Sequence, residues 1–151
     1  IEGWITNEQW RITNKGKRAG KYQLTITNYE YNYFMKENIL QSKSYLFALR
    51  IIKLYKFLTE EKKEYILSKQ VMRSGTSIGA NIAESIWGAS RKDFLSKITI
   101  AYKEARETIY WLQLLRDSEY LTERQTNDII TDCEELCKIM WSIQTTIKNN
   151  S

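Results

Sequence analysis

The chain has 151 residues, 42% hydrophobic and 27% charged, with a formal net charge of +5 and neither proline nor histidine. One domain's worth of chain is enough to bury a core, while the lack of histidine removes the usual acid–base catalyst at neutral pH. No run of about 18 apolar residues reads as a membrane span, and no secretion signal is legible.

Residues 1–34 differ from everything after them. Ile-Thr-Asn occurs at 5–7, 12–14 and 26–28, and the segment divides into four heptapeptides beginning at Ile5, Ile12, Ala19 and Ile26. No second apolar position recurs within the unit, so the period is not that of a coiled coil. A seven-residue repeat is what translation of a 21-nucleotide DNA repeat gives, and Met35 follows the last unit at the front of an amphipathic pattern. We therefore expect residues 1–34 to be a repeat-like extension, disordered or read through from upstream DNA, and residues 35–151 to form the domain. The competing expectation is a strand, because Tyr22, Leu24 and Ile26 alternate and Tyr29, Tyr31 and Tyr33 continue the alternation. The extension holds five basic and three acidic residues, leaving a mild excess of 18 against 15 in the remainder.

From Met35 onward the period is helical. A first helix is predicted over about Asn38–Leu58, with Leu40, Phe47, Ile51 and Leu54 among its apolar positions. Lys36, Lys43, Arg50 and Lys53 run along it as a basic edge. A second helix is predicted from Glu60 to Trp87, capped by Thr59 and stopped by Gly88. Ser90-x-x-Asp93 resembles a capping box and opens a third helix to about Ser118, whose seam is Phe94, Ile98, Ala101, Ala105, Thr108, Leu112 and Leu115. Thr122-x-x-Gln125 opens a fourth, with the seam Ile129, Cys133, Leu136, Met140, Ile143 and Ile147. Alternating three- and four-residue spacing in helices joined by short turns predicts an all-α, antiparallel up-and-down four-helix bundle.

The second helix carries two stripes. Leu67, Ser74, Ile78, Ile82 and Ser85 cluster around Val71 and face the core. Gln70, Arg73, Ser77, Asn81 and Glu84 form a polar stripe on its flank, made of side chains suited to specific hydrogen bonds. The stripe predicts contact with a neighbouring helix, inside the bundle or across a subunit interface, with a buried network of the Arg73–Glu84 kind. Small residues at Ser74, Gly75, Gly79 and Ala80 would let another helix approach closely.

Chemistry is sparse. Cys133 and Cys137 share one helical face and make a poor zinc set without histidine, so reduced thiols packed in a core, suited to a cytoplasmic protein, are expected. Gly75 and Gly79 fall inside a helix rather than in a phosphate-cradling loop. Glu104 with Glu107, and Glu134 with Glu135, lack the Glu-x-x-His partners of a di-iron bundle. No catalytic residue, metal or cofactor is expected. Lys36, Lys43, Arg50, Lys53, Arg91 and Lys92 are the candidates for phosphate contact. Trp87, Trp111 and Trp141 read as packing and interface residues.

Gln70-x-x-Arg73-Ser74-x-x-Ser77-Ile78-x-Ala80-Asn81-Ile82-Ala83-Glu84, with Phe94 and the run Ala101–Thr108, is similar to the four-helix-bundle proteins encoded in intervening sequences of large-subunit ribosomal RNA genes. The accessory variability protein of diversity-generating retroelements uses the same fold. The resemblance spans about Met35 to Lys148. It implies a non-catalytic homopentameric ring associated with RNA or DNA, or with a nucleic-acid-processing protein. A protein-only oligomeric scaffold is the alternative expectation.

Overall fold

In the computed structural model the described residues are 28–149, with side chains from residue 39 onward. They form four α-helices: α1 (Asn28–Glu60), α2 (Leu67–Ser85), α3 (Arg91–Asp117) and α4 (Glu123–Asn149). Each packs on its neighbours in the chain and α1 closes against α4, so the bundle is a square with no diagonal contact among the described residues. The predicted all-α bundle is the observed fold. No helix among the described residues is long and apolar enough to cross a membrane.

The α3 and α4 seams are buried along their whole predicted length, joined by Ile109 on α3 and by Thr126, Cys137 and Gln144 on α4. Leu40, Phe47, Ile51, Leu54 and Leu58 of α1 meet Val71, Ile78 and Ile82 of α2 in the same core. Burying each large aliphatic side chain fully is worth about 1.5–3 kcal/mol. The expected caps form. Ser90 Oγ accepts the Asp93 N–H (3.1 Å). Thr122 Oγ1 accepts the Gln125 N–H (3.2 Å) while Gln125 Oε1 accepts the Thr122 N–H (3.0 Å).

The start of α1 and the first turn differ from expectation. Helix α1 begins at Asn28 rather than Asn38, because no glycine or proline stands between Gly20 and Gly75 to stop a helix there. Tyr29, Tyr31 and Tyr33 are thus helical rather than strand. Residues 1–27, with three heptapeptides and the start of the fourth, lie outside the described residues. At the other end α1 runs through Thr59, whose Oγ1 donates back to the Tyr55 carbonyl (2.9 Å) instead of capping a new helix. The cap of α2 is Glu64, whose carboxylate accepts the N–H groups of Ile66 (3.0 Å), Leu67 (2.8 Å) and Ser68 (2.6 Å). One side chain thereby satisfies three of the donors that a helix start leaves open.

Candidate functional site: four unlike faces of the bundle

A square bundle has four grooves, each between two neighbouring helices, and their chemistries differ sharply. The α2–α3 face is laced with ion pairs: Arg73 reaches Glu107 and, at 3.5 Å, Glu104, and Lys97 reaches Glu84. Trp111 Nε1–H donates to Glu107 (3.1 Å). That hydrogen bond, with the Arg73 contact, outweighs burial and holds the Glu107 carboxyl below the usual carboxylate range. Conversely, the hydrogen bond to Glu107 holds the Arg73 guanidinium above its ordinary value.

Four of the five residues of the polar stripe have partners within the chain. Arg73 and Glu84 do not pair with each other, contrary to the expected network; each finds its partner on α3. Ser77 Oγ donates to the Arg73 carbonyl (2.6 Å) and Asn81 Nδ2 to the Ser77 carbonyl (2.8 Å), so both turn back onto their own helix. Gln70 is half-buried.

The α4–α1 face is paired too. Arg50 bridges Asp128 and Asp132, one turn apart on α4, and Lys43 pairs with Glu135. The Arg50 side chain is only 13% exposed. Half of the basic edge expected to meet phosphates is therefore already matched by the protein's own carboxylates. Lys53 is exposed on α1, and the Lys36 side chain lies outside the described ones. Lys92 is exposed at the start of α3, and Arg91 donates to the Ile147 carbonyl (3.4 Å) near the end of α4, where a cation suits the helix dipole.

The α1–α2 face carries no charge over its central stretch. A groove of about 690 Å³ there is lined by Gln41, Ser42, Ser44, Tyr45, Leu46, Ala48, Thr76, Gly79, Ala80 and Ala83. The two helices approach closely beneath it. A Cβ on Gly75 would sit 2.7 Å from Ile51 Cγ1, and one on Gly79 would sit 3.3 Å from the Ser44 carbonyl oxygen. The glycines thus serve contact inside the bundle, while Tyr45, Ala80 and Ala83 stay exposed at its surface.

The α3–α4 face is cationic and aromatic, and sequence reasoning missed it. Lys103, Arg106 and Tyr110 fall on one exposed outer stripe of α3, where the Tyr110 ring meets that of Trp111 edge-on at 5.0 Å, and Glu134, Lys138 and Trp141 fall on one of α4. The Trp141 ring lies 6.2 Å from that of Tyr102, joining the two helices. The signal was the spacing of three and four between exposed positions, hidden beneath the stronger apolar seam of each helix. Trp111 is half-buried, as a packing residue would be, while Trp87 and Trp141 are 88% and 58% exposed and so fit only the interface part of the expectation.

Cys133 and Cys137 are buried free thiols, and Cys133 donates to the Ala105 carbonyl (3.4 Å). Its hydrogen bond with Cys137 and its burial push the Cys133 thiol well up. Among the described residues no group of three or more His, Cys, Asp or Glu is placed to hold a metal.

A family model described as 23S rRNA-intervening sequence protein matches residues 36–142. The chain belongs to that family. The match begins inside α1 and ends inside α4, so it takes in all three turns and all four faces. A crystal structure of a protein of unknown function, from the S23 ribosomal protein family of Bacteroides thetaiotaomicron VPI-5482, is similar at 52% identity and a TM-score of 0.73. The alignment covers 74% of this chain and 99% of that one. No curated protein matches. The match to the 23S rRNA-intervening sequence protein family and the similarity to the S23 structure agree on the helical fold.

Proposed function

We propose that this family member is a non-catalytic assembly protein that packs against copies of itself in a closed ring, of five subunits by resemblance, and associates with nucleic acid. The observation that carries the reading is the uncharged α1–α2 groove, bordered by Tyr45 and floored by small side chains. Exposed Ala80 and Ala83 permit close approach of another helix, and the absence of charged side chains from the lining spares the large cost of desolvating an ion. The two ion-paired faces lie to either side of it and are already satisfied within the chain. A ring repeats every surface charge, so a mild excess of positive charge per subunit sums to a field that attracts polyanions.

A second reading, a ring that binds only protein, is favoured by the pairing of Lys43 and Arg50 with α4 carboxylates. Sedimentation velocity tests the assembly. Ala80→Glu and Ala83→Glu place charges on exposed positions of a folded helix and are expected to dissociate the wild-type oligomer with helicity unchanged. Oligomers of unchanged mass would remove the α1–α2 face from the reading. Affinity for nucleic acid measured over a salt series separates the two readings, since phosphate contacts give a steep decline with ionic strength.

A further inference from the structure

The α3–α4 face lies opposite the uncharged groove, and its exposed groups are of two kinds. Lys103, Arg106 and Lys138 make no ion pair among the described residues, unlike Lys43, Arg50, Arg73 and Lys97 on the flanking faces. Large aromatic rings flank them, Tyr110 one turn beyond Arg106 on α3 at 53% exposure and Trp141 one turn beyond Lys138 on α4 at 58%. Glu134 is the one carboxylate on these two stripes. Leaving about half of each ring in water forgoes roughly 1 kcal/mol of burial apiece, which a ligand seated on the face would recover.

We propose that the α3–α4 face binds single-stranded nucleic acid, with bases stacked on Trp141 and Tyr110 and phosphates held by Lys103, Arg106 and Lys138. This rests on the nucleic-acid reading above and gives it a place and a strandedness. A positive groove interleaved with aromatic faces is the arrangement that single strands require, because only unpaired bases offer a π-face to a protein ring. The stripe from Lys103 to Tyr110 is two turns, about 10 Å along the helix axis, which sets phosphate and base contacts side by side. The Tyr102 ring lies beside that of Trp141, tilted by 43° to it. Duplexes, whose bases are stacked on each other, gain only the cation contacts here.

Fluorescence anisotropy of short labelled oligouridylate, oligothymidylate and a duplex of equal length tests the assignment on the full chain. The single strands bind more tightly than the duplex, and their titration quenches tryptophan emission. Trp141→Ala weakens binding about tenfold, within the usual range for one stacked base. Lys103→Gln with Arg106→Gln flattens the salt dependence by about 0.7 for each cation lost. The uridylate and thymidylate arms show whether RNA is preferred. Unchanged affinity in a Trp141→Ala, Tyr110→Ala double variant, or equal binding of duplex and single strand, overturns the assignment to this face alone. Wild-type protein that binds no oligonucleotide at low salt overturns the nucleic-acid reading itself. A drop in oligomer mass on Trp141→Ala makes the face a subunit contact and overturns the proposal too.

Discussion

Arg73 of α2 reaches across to Glu107 of α3, and Glu107 also accepts the Trp111 indole N–H, so one carboxylate fastens a cation and an aromatic ring to the same spot. The pair joins residues 34 positions apart inside one chain. Its consequence is that the most distinctive residue of the polar stripe already has a partner within the subunit.

Arg73→Ala is accordingly expected to leave the oligomer intact. The Arg73 side chain is 53% exposed, and exposed pairs contribute about 0–1 kcal/mol. Urea denaturation is expected to show a loss in that range, with sedimentation unchanged. A monomer on Arg73→Ala would instead restore the stripe to a subunit interface.

Glu64 makes stability depend on pH. Burial raises its pKa, but the backbone N–H groups of Leu67, Ser68 and Ile66 together outweigh burial and hold it below the usual carboxylate range. A lowered folded pKa means that the unfolded chain takes up a proton first as pH falls. The contribution is therefore complete above the unfolded value of about 4.3 and is lost as pH falls through the lower folded value. Glu64→Ala is expected to cost about 1–3 kcal/mol at pH 7 by leaving three helix donors unserved. The gap between variant and wild type in urea midpoints should close as the medium is acidified. A gap that stays constant down to pH 3 would mean that the carboxylate charge is not what stabilises the turn.

Thr59 followed by Glu60 and Glu61 looks like a helix start, yet Leu58 is fully buried and keeps α1 winding to Glu60. Tertiary burial overrode a local signal worth about 1 kcal/mol. The α3 and α4 seams were legible residue by residue because apolar periodicity and capping boxes agreed. The face chemistry was not, since which groove a surface charge borders depends on how the helices are arranged round the square. Lys43 and Arg50 show this: their seven-residue spacing was visible, but their carboxylate partners lie 92 and 82 residues away.

Gly75 is where α2 comes closest to α1. An added Cβ would meet Ile51 Cγ1 at 2.7 Å and Cγ2 at 2.9 Å, both on a branched side chain fully buried in the core. Alanine gains about 1 kcal/mol in helix propensity, while overpacking of this kind costs about 1–3 kcal/mol. Gly75→Ala is expected to lower stability by about 1 kcal/mol net in the wild-type chain, and to cost less than that in an Ile51→Ala background, where both Cγ atoms are gone. Thermal melts of the two single variants and the double variant measure the coupling. Strict additivity would show that Ile51 is not the obstacle.

The end of α3 offers a gain rather than a loss. Glu119 has a φ of 65°, the left-handed conformation that favours glycine. Around it the Glu119 N–H bonds to the Arg116 carbonyl (2.9 Å) and the Tyr120 N–H to the Leu115 carbonyl (2.9 Å), the two bonds of a Schellman cap. A side chain at this φ costs about 1–2 kcal/mol, offset in part by the larger unfolded-state entropy of glycine. Glu119→Gly is expected to stabilise by about 1 kcal/mol, a rise in Tm of about 3 °C. Glu119→Ala separates backbone strain from charge: it removes the carboxylate but keeps Cβ, and should leave Tm nearly unchanged. If alanine stabilised as much as glycine, the relief would come from losing a negative charge near the helix C-terminus rather than from the backbone.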